Sequence, residues 1–156
     1  MRNDIESRQQ TFKTGHVALN VSDIGRSKRF YREVFGFEVI QESETEGRRF
    51  VFLGEEDRIV LTLWQQSEGR FEKAAPGLHH LSFQVDSIEE TRAAEARLRL
   101  IGAPLIYGGV VPHAEGVESG GIFFEDPDGI RLEIYSTTGA GECAAPTAGA
   151  PSCGFF

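Results

Sequence analysis

Hydrophobic and polar residues alternate along several short stretches of the chain, and the pattern of the first stretch returns later. HVALNVSDI begins at His16, and HLSFQVDSI begins at His80, 64 positions further on. In the same way GEEDRIVLTLW, from Gly54, matches EDPDGIRLEIY, from Glu125, with a displacement of 71. The repeat accounts for most of residues 15–136 and predicts two copies of one structural unit.

Each copy predicts a β-strand, then a helix, then three further strands. In the first copy Ser22 or Asp23 can begin the helix as its cap, and Gly36 ends it. In the second copy Ser87 and Glu90 form a capping-box pattern at the start of the helix. The predicted strands lie at residues 15–21, 37–42, 48–53 and 58–65 in the first copy, and at 80–85, 104–108, 120–125 and 130–136 in the second.

Two such βαβββ modules cannot each bury a sheet face alone, so we expect them to pair in one α+β fold. The eight strands are predicted to form a curved mixed sheet around a cavity, with the helices on the convex face. Module one is predicted at residues 15–66 and module two at 78–136. Residues 1–14 form an N-terminal extension. Residues 137–156, rich in Ala, Gly, Pro, Ser and Thr, are predicted to be a flexible tail, and residues 140–156 are predicted to be dispensable for folding.

Charge and composition disfavour some classes of binding partner. The chain has 24 acidic and 16 basic residues and a formal net charge of −8, which disfavours nucleic acid and anionic membranes. It contains no apolar run of the roughly 18 residues needed to span a membrane, and its start lacks the apolar centre of a secretion signal. Cys143 and Cys153 lie beyond the last periodic segment, as fits a reduced compartment. We therefore expect a cytoplasmic protein that acts on a small molecule.

The parity of the strands predicts which side chains face the cavity, because successive residues alternate between the two faces of a sheet. His16 and His80 fall on the cavity side at equivalent positions of the two modules. Glu133 falls on the same side of the last strand, where the first copy has Thr62. Two imidazoles and a carboxylate suit Fe(II), Mn(II), Co(II), Ni(II) or Zn(II), and they leave coordination positions open for water and substrate.

Further side chains on the same faces are candidates for contact with a substrate. His113, in a loop before a strand, and Tyr135 are candidates for proton transfer. For each of these residues the alternative is structural, since strand histidines are often hydrogen-bonded surface groups and aromatic residues in a Phe-rich core are usually packing residues. The candidate substrate contacts are Asn20, Phe50, Phe52, Thr62, Trp64, Gln84, Phe123 and Arg131.

Three segments, HVALNVSDIGRSKRFYREVFGFEV, GLHHLSFQVDS and FFEDPDGIRLEIY, resemble the vicinal oxygen chelate superfamily. That superfamily includes glyoxalase I, bleomycin-binding proteins, fosfomycin-resistance thiol transferases and extradiol dioxygenases. The resemblance implies paired βαβββ modules around one divalent metal, with the ligand positions carried over to His16, His80 and Glu133. It also implies a substrate that chelates the metal through vicinal oxygen atoms. Modules of such proteins pair within or between chains, and we expect a homodimer here.

Departures from the family patterns reduce the number of reactions that the sequence supports. Glyoxalase I has a fourth ligand on the last strand of its first module, where this chain has Thr62, so a glyoxalase-like isomerase is disfavoured. The remaining two-histidine, one-carboxylate set resembles that of extradiol dioxygenases and fosfomycin-resistance enzymes and favours Fe(II) or Mn(II). Extradiol enzymes carry a Tyr ten positions before the metal Glu, which here is Phe123, while His113 lies near the position of a histidine beside the metal.

Three functional hypotheses follow from the sequence. The first is a metal-dependent enzyme with a dioxygenase-type or lyase-type reaction on a small oxygenated molecule. The second is a sequestering protein of the bleomycin-resistance kind, which binds an aromatic compound without chemistry. The third is a glyoxalase-like isomerase or a thiol transferase. Metal content separates the first from the second, because sequestering proteins of this kind commonly lack the metal ligands.

Overall fold

The computed structural model describes residues 12–156, and its elements follow the same order twice. Module one contains β1 (Val17–Val21), α1 (Ile24–Phe35), β2 (Glu38–Ser43), β3 (Phe50–Glu55) and β4 (Arg58–Gln65). Module two contains β5 (Leu81–Gln84), α2 (Ile88–Leu100), β6 (Val111–Pro112), β7 (Gly120–Glu125) and β8 (Arg131–Ser136). A short 3-10 helix, Ser152–Gly154, follows near the C-terminus. The extension predicted at residues 1–14 falls largely outside the described residues.

The strands form two mixed sheets of four, ordered β1-β4-β3-β2 and β5-β8-β7-β6. In the first sheet β1 runs parallel to β4, and in the second β5 runs parallel to β8. The remaining neighbouring strands are antiparallel. The predicted α+β fold of two βαβββ modules is therefore confirmed. Its eight strands are divided between two hydrogen-bonded sheets, one in each module.

The helices begin and end where the sequence predicts. Asp23 caps α1 by accepting a hydrogen bond from the backbone N–H of Arg26 at 2.9 Å. Gly36 ends the same helix in the left-handed conformation, with φ at 76°. Ser87 and Glu90 form the complete capping box of α2. These local signals determine where each helix begins and where α1 ends.

One hydrophobic core joins the two modules. It includes buried residues from both sheets and both helices, so the apolar strand faces are those that alternation assigns to the helix side. The ring of Phe35 lies 4.6 Å from that of Phe83, centroid to centroid, and Arg97 Nε donates to the carbonyl of Val34 at 2.8 Å. The fully buried members include Val21, Val34, Leu53, Leu61, Leu63, Leu98, Ile122, Phe124 and Leu132.

A buried polar contact also ties the β7–β8 turn to the start of α1. Asp128, 3% exposed, accepts hydrogen bonds from the backbone N–H and hydroxyl of Ser22 and from Arg26 Nη2. Nearby, the Tyr31 hydroxyl donates to Asp126 Oδ2 at 3.0 Å. Burial raises the pKa of Tyr31 well above its ordinary value, and the Asp126 carboxylate raises it further.

The structure differs from the sequence prediction at the second strand of module two. Instead of a strand at 104–108, only Leu105 forms an isolated bridge, to Phe124, and the edge strand is β6. Gly108 takes a left-handed φ of 78°, which bends the chain between the two positions. Across residues 12–156, neither helix has both the length and the hydropathy to cross a bilayer.

Candidate active site

The sheet register places Glu133 and Thr62 at equivalent positions, as the repeat predicts. Glu133 pairs with Phe123 on the neighbouring strand, and Thr62 pairs with Phe52 in the same way. Both residues are nearly fully buried, at 3% and 2% exposure. The two modules therefore present the same face, but only module two carries a carboxylate on it.

Glu133 faces two imidazoles. Its Oε2 lies 3.5 Å from His80 Nε2, and its Oε1 lies 2.5 Å from His113 Nε2. The other ring nitrogen of His113 lies 2.9 Å from the hydroxyl of Ser119. Because an ionised carboxylate only accepts hydrogen bonds, we assign the proton of His113 to Nε2 and a donating role to Ser119. Both predicted residues of module two, His80 and Glu133, thus meet at one point.

The surroundings of His80 favour its neutral form. Burial lowers its pKa, and this effect outweighs the opposing influence of the Glu133 carboxylate. The neighbouring ring of His79 lies with its Nδ1 2.8 Å from Nδ1 of His80. A neutral imidazole keeps a lone pair available, which is the form required of a metal ligand.

His16 lies apart from this pair. It is exposed and precedes β1, in the sheet of module one, whereas His80 precedes β5 in the other sheet. In the part of the chain that the structure describes, no group of three or more His, Cys, Asp or Glu side chains is arranged to hold a metal ion. Within one chain of the described residues, His16 therefore does not join His80 and Glu133 in such a group. The ligand set itself stays a prediction.

The predicted aromatic residues of module one form a cluster. Phe50, Phe52 and Trp64 have ring centroids 4.9 to 5.7 Å apart. Trp64 donates its indole N–H to the hydroxyl of Thr62 at 3.1 Å, and a cavity of about 270 Å³ opens beside Phe50 and Trp64. Asn20 instead exchanges two hydrogen bonds with the backbone after β4. Its amide therefore holds the end of the strand.

The remaining predicted residues of module two surround Glu133. Tyr135 donates its hydroxyl to Gln84 Oε1 at 2.9 Å, and its ring lies 5.2 Å from that of His113. Phe123 is fully buried opposite Glu133, and its ring offers no hydrogen-bond donor. Tyr135 and His113 therefore lie side by side on the strand face that carries Glu133.

The C-terminal residues also lie on this face, which the sequence analysis missed. Ser152 is 1% exposed, and its carbonyl accepts a hydrogen bond from Tyr107 at 2.7 Å. The ring of Phe155 lies 5.7 Å from that of His80. Composition alone predicts a flexible segment here. The signal that could have found these contacts is the pair of Phe residues that ends an otherwise small-residue segment.

Comparison with known proteins shows the family to which this chain belongs. The family model of the Glyoxalase/Bleomycin resistance protein/Dioxygenase superfamily matches residues 13–134. A catechol-2,3-dioxygenase of Bacillus subtilis (strain 168) is 26% identical over 128 residues, covering 78% of this chain. The chain spans only 40% of that dioxygenase. A lactoylglutathione lyase of Haemophilus influenzae is 32% identical over 129 residues, covering 76% of this chain and 88% of the lyase.

Solved structures agree in fold. A glyoxylase/bleomycin resistance protein/dioxygenase domain from Frankia sp. EAN1pec superposes with a TM-score of 0.69 at 26% identity, covering 81% of this chain and 98% of that domain. A variant of the fosfomycin resistance protein FosX from Listeria monocytogenes, complexed with Mn(II) and a dihydroxypropylphosphonic acid, gives a TM-score of 0.63 at 20% identity, covering 83% and 95%. At the lower identity the likeness shows a shared fold only.

Proposed function

Since the chain belongs to the Glyoxalase/Bleomycin resistance protein/Dioxygenase superfamily, we propose that it is a metal-dependent enzyme acting on a small substrate through vicinal oxygen atoms. The reaction we favour is of the dioxygenase or lyase type. The observation that carries this proposal is Glu133, a carboxylate at 3% exposure whose two oxygens face imidazoles. A buried carboxylate is costly unless charge or hydrogen bonds compensate it, and a bound cation provides that compensation.

The side chains around Glu133 fit a first-row divalent metal. Within residues 12–156 its ion-pair partners are the imidazoles of His80 and His113, and none is a Lys or Arg. Nitrogen and carboxylate donors suit Fe(II) or Mn(II), which we favour, as well as Zn(II), Ni(II) and Co(II). Among superfamily members, the FosX variant described above holds Mn(II). We propose that Glu133 and His80 are two of the ligands in this chain.

We propose that His16 of a second copy supplies the third ligand, so that the site is completed in a homodimer. His16 is exposed at the edge of module one, free to meet a neighbouring molecule, and its sheet is separate from that of His80. Each module two would then face the module one of the other chain. This arrangement gives every dimer two equivalent sites related by its symmetry.

A divalent ion held there would act as a Lewis acid on two adjacent oxygen atoms of the substrate. The chain itself would supply proton transfer. His113 carries a proton on Nε2, directed at the site, and Ser119 holds the ring in that orientation. Tyr135 lies beside His113 with its hydroxyl fixed by Gln84. These two groups are the candidates for the general acid and base.

Thr62 argues against the glyoxalase-like alternative. It is buried where the fourth ligand, a Glu or Gln, would lie, and its hydroxyl accepts the indole N–H of Trp64. The sequestering alternative has one observation in its favour, the half-buried aromatic cluster of Phe50, Phe52 and Trp64 beside a cavity. Stacking surfaces of this kind bind planar compounds without chemistry.

Metal content and oxygen uptake test the proposal together. Protein purified without chelator should contain stoichiometric divalent metal, which His80→Ala or Glu133→Gln should abolish. Thr62→Ala is the matched control, because it changes the equivalent position of module one and should leave metal content unchanged. Fe(II)-loaded protein should then consume oxygen with at least one compound of a catechol panel.

Two results would overturn the assignment. Full metal occupancy in His80→Ala would show that His80 is not a ligand and that the predicted ligand set is wrong. Tight binding of an aromatic antibiotic by metal-free protein, with no oxygen consumption on any catechol, would instead favour a sequestering protein.

A further inference from the structure

The strand face that carries Thr62 in module one is equivalent in register to the face that carries Glu133 in module two, but the aromatic residues on the two faces differ in exposure. Phe52 and Phe123 occupy matching positions, opposite Thr62 and Glu133 respectively. Phe52 is partly exposed, whereas Phe123 is fully buried. The difference coincides with the last five residues of the chain, 152–156, which lie over module two. We call this segment the C-terminal cap.

The C-terminal cap is anchored by Ser152. Its backbone N–H donates to the carbonyl of His113 at 2.8 Å, and its hydroxyl donates to the carbonyl of Pro112 at 2.6 Å. Its own carbonyl accepts the hydroxyl of Tyr107 at 2.7 Å. All the hydrogen-bonding groups of a residue at 1% exposure are therefore satisfied by module two. The C-terminal cap is therefore attached to this face by specific hydrogen bonds.

The anchor sets the position of Phe155. Its ring centroid lies 5.6 Å from that of Phe123 and 5.7 Å from that of His80. The guanidinium of Arg131 lies 4.7 Å from the same ring, in cation–π contact. The backbone of Phe155 has a φ of 58°, a left-handed conformation that a Phe adopts only where packing compensates the strain. The surrounding side chains hold this ring in place.

We infer that Phe155 is a specificity-determining residue, which limits the size of the substrate ring that can lie beside His80. This inference rests on the proposed function, in which a substrate with vicinal oxygens reaches the metal next to His80. The ring of Phe155 fills the space between His80, Phe123 and Arg131 that a second fused ring would need. Monocyclic diols therefore fit better than bicyclic ones. Phe156, 81% exposed, forms no such wall.

Binding of two diols to the Zn(II)-loaded protein tests this role without turnover. Isothermal titration calorimetry would compare catechol with a naphthalene diol that carries adjacent hydroxyls. Phe155→Ala should lower the dissociation constant of the naphthalene diol relative to that of catechol by about tenfold or more, the usual scale of discrimination by an apolar wall. Phe156→Ala is the matched control and should leave the ratio unchanged. An unchanged ratio in Phe155→Ala would overturn the inference.

Chemical modification separates failure of this inference from failure of the proposed function. In metal-free protein, diethyl pyrocarbonate should modify His80 several-fold faster in Phe155→Ala than in Phe156→Ala, with N-acetylhistidine in the same solution as the reference. Equal rates would show that Phe155 does not cover His80 and would overturn the inference. If neither diol binds any of these proteins, the proposed substrate class fails, and the rate at His80 still decides whether Phe155 forms the wall.

Discussion

Replacing Asp128 with alanine should destabilise the protein by loosening the contact between its two modules. The carboxylate is 3% exposed and connects the β7–β8 turn to the residues that start α1. It accepts three hydrogen bonds, two from Ser22 and one from Arg26. Alanine removes all three acceptor contacts and leaves the N–H of Ser22 without its partner. The change therefore acts on the junction that orients module one against module two.

The contacts of Asp128 differ in strength. A hydrogen bond to a charged acceptor contributes about 1.5 kcal/mol or more, so the two bonds from Ser22 together account for about 3 kcal/mol. The ion pair with Arg26 adds little, since the arginine side chain is 48% exposed and solvent screens it. Water entering the site would recover part of the loss. We expect Asp128→Ala to lower the free energy of unfolding by about 2–4 kcal/mol.

Urea unfolding at one fixed protein concentration measures this loss, because concentration matters for a protein expected to dimerise. Arg26→Ala is the matched control: it removes the screened ion pair and the exposed hydrogen bond from Arg26 Nη2 to the Ser22 hydroxyl, keeps both bonds from Ser22 to Asp128, and should cost at most about 1 kcal/mol. If Asp128→Ala loses no more stability than Arg26→Ala, the hydrogen bonds from Ser22 do not hold the modules together as the structure indicates.

Three further predictions follow from the site and its surroundings. Above a pH of about 10, Tyr31 ionises in the unfolded chain but stays protonated in the folded one. The free energy of unfolding of the wild type should therefore fall by about 1.4 kcal/mol per pH unit relative to that of Tyr31→Phe. Parallel curves of unfolding free energy against pH would contradict this. His113→Ala should lower turnover of the metal-loaded enzyme with metal content unchanged, and loss of metal would instead make His113 a ligand. A chain ending at residue 150 should lose about 1.5–4.5 kcal/mol in thermal unfolding, because it loses three hydrogen bonds of Ser152 that each contribute about 0.5–1.5 kcal/mol, whereas a loss near zero would fit the flexible tail that composition predicts.

Much of the fold can be predicted from the sequence because its signals are local. The alternation of apolar residues assigns the buried face of each strand, and Asp23, Gly36 and the Ser87–Glu90 capping box mark helix ends. The internal repeat then predicts that Glu133 is equivalent to Thr62, which the strand register confirms. Strand alternation and helix caps depend on residues a few positions apart, and the repeat is visible when the chain is compared with itself, so one sequence is enough to find all of them.

Long-range contacts could not be predicted in the same way. Strand parity gives the face on which His16 lies, but not which module of which chain that face meets. Similarly, Ser152 and Phe155 belong to a segment without periodicity, and their contacts depend on backbone carbonyls of module two that carry no sequence signal. Composition predicts only a flexible segment of small residues, and it cannot indicate which surface the segment contacts.

Metal binding by a hybrid dimer tests the proposed metal site most directly. His16→Ala and His80→Ala chains, carrying different affinity tags, would be unfolded together, refolded and purified through both tags. In the hybrid, one site combines both substitutions, whereas the other joins His16 of one chain to His80 and Glu133 of the other. We expect one divalent ion per hybrid dimer and none in either single-variant protein. A folded hybrid dimer without metal, or stoichiometric metal in a single-variant protein, would contradict a site made of His16, His80 and Glu133 across two chains.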